Sequence, residues 1–176
     1  MPEVISPARS PSDYQAFAGL VADYVAWCRM RYAHDEWFVE RVFAHQDLDR
    51  EIRELPVIYG PPQGSTLLAR RAGVVCGAGA YRRLEDGSCE MKRLFVPAAF
   101  KGLGLGRRLA QALIDAARAE GYALMRLDTG NLLSEAIALY QSMGFRHCAP
   151  HRPYPPELLP YLVFLELPLY PMGVNA

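Results

Sequence analysis

The sequence predicts an α/β fold of the α+β kind, in which a mixed, mostly antiparallel sheet of about six to seven strands is flanked by about four helices. Three observations lead there. Residues 66–96 hold three short runs rich in apolar and β-branched side chains, separated by turns, which read as an antiparallel meander. Residues 89–129 then run strand, amphipathic helix, strand, the pattern of a right-handed parallel βαβ unit. A chain of 176 residues is the natural length for one domain, 1–176, with a full core.

In order, Val4 and Ile5 make a short first strand. Pro11-Ser12-Asp13 opens a helix with Ser12 or Asp13 as its cap, and Phe17, Leu20, Val21, Tyr24 and Val25 follow at helical spacing. Phe38, Val42 and Phe43 begin a second helix that continues through residues 47–54 until Leu55-Pro56. Its charges alternate in sign at i,i+4 spacing, as on a solvated face. Residues 59–64 are a turn-rich loop. In the second meander strand Gly77, Ala78, Gly79 and Ala80 are unusual, because small residues weaken a strand. Close approach of a backbone or ligand explains them, and so does tight sheet packing. After the third strand, Leu105, Leu109, Ala112, Leu113 and Ala116 share one helix face, with Gly121 as C-cap. Residues 123–129 are a buried strand, and a helix from Ser134 ends at Gly144. Residues 145–147 and 161–167 are the last strands, joined through a proline-rich loop at 151–156.

Composition narrows the function. Lys plus Arg and Asp plus Glu are 19 each, which argues against a nucleic-acid binder working through a broad basic surface. No apolar run has the length of a membrane span, and the N-terminus lacks a basic region followed by an apolar one, so the expected location is the cytoplasm. Cys28, Cys76, Cys89 and Cys148 show no C-x-x-C spacing, so no metal is expected. A Cys76–Cys89 disulfide between neighbouring strands is the alternative to free thiols in a reducing compartment.

The chemistry centres on residues 91–106. Leu94-Phe95-Val96 ends a strand, Pro97 stops the ladder, and Gly102, Gly104 and Gly106 precede a helix. Glycine backbone beside a helix N-terminus is a site for phosphate. The string is not a P-loop, and a dinucleotide turn would need a third glycine at different spacing, although Asp128 lies at a suitable distance.

Lys101-Gly-Leu-Gly-Leu-Gly106 resembles the R/Q-x-x-G-x-G/A motif of the GNAT superfamily of N-acetyltransferases, with Lys101 at the Arg/Gln position. Glu90-Met-Lys-Arg-Leu-Phe-Val96 is similar to that family's fourth strand. Ala136-Ile-Ala-Leu-Tyr-Gln-Ser-Met-Gly-Phe145 is similar to its A-x-x-L-Y-x-x-x-G-F segment. Leu127-Asp-Thr129 resembles a small-molecule subgroup. The resemblance implies a sheet splayed between strands 4 and 5 and an acetyl-CoA-dependent N-acetyltransferase working through a ternary complex. A non-catalytic acyl-CoA-binding module on the same fold is the alternative.

By the same resemblance, Lys101, Gly102, Leu103, Gly104, Leu105, Gly106 and Arg107 hold the cofactor pyrophosphate. The backbone of Leu94, Phe95 and Val96 pairs with the pantetheine arm and the thioester carbonyl. Glu90, which shares a face with Leu94 in a regular strand, is the candidate base, against a partner role for Lys92 or Arg93. Tyr140 is the candidate acid for the leaving sulfur. Leu133 stands where many GNAT chains carry a pantetheine-binding Asn, and Asn131 is two positions out of register. For the acceptor, Tyr32, Glu36, Trp37, Tyr59, Tyr81 and Tyr154 are candidates, since aromatic rings beside a carboxylate suit a small cationic amine. The expected partner is therefore a small-molecule amine, with neither nucleic acid nor membrane, and a homodimer is compatible with the sequence.

Overall fold

The structure is a computed structural model that describes residues 2–170, so both ends of the expected 1–176 domain lie outside it. Its strands are β1 (Val4–Pro7), β2 (Gly64–Arg71), β3 (Val74–Arg83), β4 (Cys89–Phe95), β5 (Leu124–Gly130), β6 (Arg146–His147) and β7 (Leu162–Pro168). They form a seven-stranded sheet in the order β1-β2-β3-β4-β5-β7-β6, in which only β4 and β5 run parallel. The helices are α1 (Pro11–Arg31), α2 (Glu36–His45), α3 (Leu48–Arg53), α4 (Leu55–Tyr59), α5 (Leu105–Ala119) and α6 (Ser134–Ser142). α5 makes the crossover between β4 and β5. Among the described residues no helix is long and apolar enough to cross a membrane.

Two helix expectations need correction. Ser10 caps α1. Its hydroxyl accepts from the Asp13 N–H at 3.2 Å, and the Asp13 carboxylate accepts from the Ser10 N–H at 3.0 Å. This reciprocal pair with Pro11 in the first turn fixes the start. The single second helix is in fact α2 and α3, and Leu55-Pro56, expected to end it, opens α4. Asp47 takes a left-handed φ of 52°, which breaks the first junction, and Pro56 fits only the first turn of the new helix α4.

The sheet buries both faces. On one, Leu105, Leu109 and Leu113 of α5 pack on Leu67, Cys76 and Met91. On the other, Phe17, Leu20 and Val21 of α1 and Leu55 and Tyr59 of α4 pack on Leu68, Ala78 and Ala80. Each such leucine contributes about 1.5–3 kcal/mol. Packing explains the small residues of β3, because a Cβ on Gly79 would lie 2.8 Å from Leu113 Cδ1. A third cluster joins the end of α1 and α2 to β7 through Tyr32, Phe38, Val42 and Phe164. All four cysteines are free.

β4 carries the irregularity that matters most. Ala80 pairs with Lys92 and Ala78 with Phe95, so β4 has one residue more than β3 over this interval. The extra residue is absorbed at Arg93, whose φ is 57°. Lys92 and Arg93, neighbours that regular alternation would put on opposite faces, both reach Gln46. Beyond the bulge the parity inverts. Leu94 approaches Gly79 beside α5, whereas Phe95 meets Tyr24 and Trp27 of α1. The expectation that Glu90 and Leu94 share a face is therefore corrected.

Gly130 at the end of β5 leaves room for Tyr32. A Cβ there would come 2.3 Å from Tyr32 Oη, which accepts from the Leu132 N–H at 3.0 Å and donates to Asn131 Oδ1 at 2.9 Å. Gly130→Ala should cost about 1–3 kcal/mol in urea unfolding, and adding Tyr32→Phe should cost less than the sum of the two changes. An unchanged midpoint for Gly130→Ala would show that the contact relaxes freely.

Candidate active site

β4 and β5 are hydrogen-bonded only at Cys89↔Met125 and Glu90↔Arg126. Past that point they diverge, and a cavity of about 290 Å³ opens between them. Residues 91–96 form one wall and residues 127–130 the other. α1 and α2 close the inner side, and the start of α5 with Ala136, Leu139 and Tyr140 of α6 closes the outer side.

The start of α5 is built to receive an anion. Gly102 and Gly104 have φ of 82° and 69°, and a Cβ on either would meet nothing within 4 Å. Their requirement is thus the left-handed backbone, which costs other residues about 1–2 kcal/mol. Gly104 is the N-cap, and no side chain caps the helix. The first N–H groups of α5 therefore lack a side-chain partner at the positive end of a 15-residue helix. Gly102, Gly104, Leu105 and Gly106 line the cavity, and Lys101 does so with its ammonium 4.6 Å from the Trp27 ring centroid. Open space, uncapped donors and a nearby cation fit a pyrophosphate.

Tyr140 lies on the cavity wall, packed against Phe145 with ring centroids 5.6 Å apart. Its hydroxyl has no hydrogen-bond partner among the described residues, and burial pushes its pKa up, so it stays protonated. Cys28 is also on the wall. Burial pushes its thiol up to about 11, which keeps it protonated at neutral pH.

Inward of these groups is a buried ion cluster. Arg93 donates to both oxygens of Glu51, at 2.7 and 3.0 Å, and to Gln46 Oε1 at 2.9 Å. Lys92 Nζ lies 3.3 Å from Glu90 Oε1 and 3.3 Å from Gln46 Oε1. Glu90 also meets Arg152, and Arg82 at 3.7 Å. Burial disfavours its charge, but Lys92, His151, Arg152 and Arg82 hold Glu90 well below the ordinary carboxylate range. Burial in turn pulls Lys92 down to about 8, against the pull of Glu90. Asp128 lines the cavity; Tyr154 donates to its Oδ2 at 3.1 Å, and Arg152 lies 3.7 Å from the same oxygen. Asp128 Oδ1 has no partner among the described residues. Glu90, Asp128 and His151 converge within 4.8 Å, but the cations already facing both carboxylates oppose a metal ion there.

The acetyltransferase (GNAT) family model matches residues 22–145. The chain belongs to the GNAT acetyltransferase family. It is 34% identical over 165 residues to an uncharacterized N-acetyltransferase of Schizosaccharomyces pombe, with 93% of each chain covered. A solved structure from Klebsiella pneumoniae, provisionally assigned as an acyl-CoA N-acyltransferase, matches with a TM-score of 0.72 at 30% identity over 96% of this chain and 98% of that one. PaiA N-acetyltransferase of Thermoplasma acidophilum, solved in complex with coenzyme A, shares the fold with a TM-score of 0.68 at 16% identity over 96% and 99% of the two chains. The splay between β4 and β5 and an acyltransferase activity thus follow from membership of this family.

Within this GNAT site, Leu94, Phe95, Val96, Lys101, Gly102, Gly104, Leu105, Gly106, Tyr140 and Tyr32 all reach the cavity. Leu103 points to solvent, and Arg107 turns to Ser142 Oγ at 2.5 Å. Glu90 is wholly buried off the wall, on the face opposite Leu94. Glu36 is exposed, and Trp37 packs on Tyr161 at the surface. Tyr59 is in the core beside Phe17, and Tyr81 faces Tyr122 on the α5 side. Leu133 lines the cavity, while Asn131 is engaged by Tyr32 and by Pro160 O. Gln46, Lys92, Asp128 and Thr129 are wall residues that sequence reasoning did not choose. Lys92 and Asp128 carried a weak signal, as charges on strands beside the buried apolar Met91 and Leu127.

Glu51→Gln should destabilise the fold by about 3–5 kcal/mol, because it leaves Arg93 buried without its charge. Glu40→Gln at the exposed Arg29 pair should change stability by less than about 1 kcal/mol. Glu51 and Glu90 have depressed pKa values in the folded state. Their contributions are therefore whole above the ordinary value of 4.5 and are lost as pH falls below it. Urea titrations of both variants at neutral pH, and of the unchanged protein from pH 7 downward, check both expectations. Equal losses for the two variants, or stability rising on acidification, would contradict them.

Proposed function

We propose that this cavity transfers an acetyl group from acetyl-CoA to the primary amine of a small molecule, by direct attack within a ternary complex. One observation carries the reading. A single cavity touches the uncapped start of α5, the unpaired stretch of β4 and the Tyr140 ring. The cosubstrate would supply a thioester-activated acetyl group. The N–H groups of Leu105, Gly106 and Arg107 would hold its pyrophosphate, with Lys101 adding charge at the mouth. Leu94, Phe95 and Val96, which have no β5 partner, would offer backbone N–H groups to the pantetheine arm and to the carbonyl oxygen as it gains negative charge.

Tyr140 would give its proton to the leaving sulfur, a role supported by its free hydroxyl on the wall. A lysine-like amine with pKa ~10.4 is neutral in about one molecule in 2,500 at pH 7, so a base is useful. The unpartnered Asp128 Oδ1 on the wall suits that task, directly or through a water. Glu90, enclosed by cations, suits the positioning of Lys92 instead. The protonated Cys28 thiol supports direct attack over an acyl-cysteine route.

Thiol release from acetyl-CoA, followed across a panel of small amines, tests this. Tyr140→Phe should lower kcat by about 10²- to 10⁴-fold with an unchanged Kd for acetyl-CoA. Normal turnover of that variant would remove Tyr140 from the acid role. If coenzyme A binds but no small amine releases thiol, the small-amine reading is overturned.

A further inference from the structure

The inner end of the cavity has its own chemistry. Lys92 lies opposite Ala80 and Phe95 opposite Ala78, so the two are about 7 Å apart along β4, two residues of β3 at the usual strand rise. The acceptor must occupy this region if the cofactor lies along Leu94, Phe95 and Val96. Its walls include Phe38, Val39, Val42 and Phe43, which are apolar, with Lys92 and Asp128 as the charged groups facing in beside Arg93.

The charges there do not balance. Glu51 is used up by Arg93, which takes both of its oxygens. Glu90 alone must serve Lys92, Arg82 and Arg152, and Asp128 shares Arg152. Four cations therefore share three carboxylates in the cluster; Arg82 and Arg152 lie off the cavity wall and partly in solvent, whereas Lys92 and Arg93 line the wall. Lys92 is the cation of this set that is both buried and on the cavity wall with no carboxylate of its own, its ammonium meeting the shared Glu90 and the neutral amide oxygen of Gln46. Arg93 is brought to the same side by the bulge, which adds to the positive field. A buried positive charge without a full partner is costly, so an anionic group entering here would be stabilised. A simple cationic amine, by contrast, would engage Asp128 but leave Lys92 without an anion. Glu36, the carboxylate expected to receive such a cation, is exposed and off the wall.

We propose that the acceptor is an amine that also carries a carboxylate, a free α-amino acid or close relative with an apolar side chain, and that Lys92 binds this carboxylate. The proposal rests on the reading of the cavity as the acetyl-transfer site. The amine then lies toward Asp128 and the β4 backbone, and the side chain lies against α2. The zwitterion is neutral overall, so it brings the anion that the cluster lacks without adding net charge to the cavity.

Matched acceptors test the proposal through thiol release: leucine, leucinamide and isoamylamine, then phenylalanine, phenylalaninamide and phenethylamine. Removing the carboxylate should lower kcat/KM by about 10- to 150-fold, the worth of one hydrogen bond to a charged group. Lys92→Met and Lys92→Gln should erase that preference mainly through KM. Equal use of acids, amides and amines by the unchanged protein, or a preference kept in both folded variants, would overturn the proposal. Calorimetry with 4-methylpentanoate and 4-methylpentanol, in the presence of coenzyme A, reads the same site without turnover. Tighter binding of the acid, lost in the Lys92 variants, supports the carboxylate site even if no acceptor releases thiol. In that case only the transfer reading fails. Acid binding no tighter than the alcohol overturns the carboxylate site whatever the turnover result.

Discussion

The two-pronged bond from Arg93 to Glu51 is the contact on which the site depends. A non-glycine residue at φ 57° inside a strand is strained by about 1–2 kcal/mol. The guanidinium offsets that strain by reaching a buried carboxylate with two nitrogens, and Glu51 holds it from α3. One inserted residue then has several consequences. It moves two cations to one face, inverts the parity of Leu94 and Phe95, and bends β4 away from β5. The separation of these strands is the cavity.

The cavity is thereby divided by chemistry. Near α5 the donors are backbone N–H groups, fixed by a helix start that has no side-chain cap. They suit phosphate, which is symmetric and strongly charged. Inward, the donors are side chains on β4 held by Gln46, Glu51 and Glu90, and the wall given by α2 is apolar. That arrangement suits a smaller ligand with one charged end. Tyr140 and Asp128 lie on the walls around the space between, where the proposed transfer would take one proton from the amine and give another to the sulfur.

Much of this was legible in the sequence, for physical reasons. Gly102, Gly104 and Gly106 followed by an amphipathic face specify a turn and a helix start almost unaided. The βαβ order fixed the one parallel pair. Tyr140 was identifiable from its motif neighbours. The bulge was not legible, because Arg93 is an ordinary strand residue in composition, and the Glu51 carboxylate that its guanidinium meets lies 42 positions away. Everything dependent on parity beyond it was lost with it, including the faces of Leu94 and Phe95 and the approach of Arg93 to the side of Lys92. Aromatic content likewise did not separate Tyr32, which reaches the cavity over Gly130, from Tyr59 and Tyr81, which fill the core. The break at Asp47 was hidden because its charged flanks suit a continuous helix as well as two short ones.

The central claim is that the bulge at Arg93 opens the cleft and the cofactor lies in it. A crystal structure of the protein with coenzyme A tests this most directly. The expected result is a left-handed Arg93 still paired with Glu51, β4 and β5 apart beyond Glu90, the pyrophosphate on the N–H groups at the start of α5, and the sulfur beside Tyr140. A regular β4 paired with β5 along its length, or coenzyme A bound outside this cleft, would contradict it.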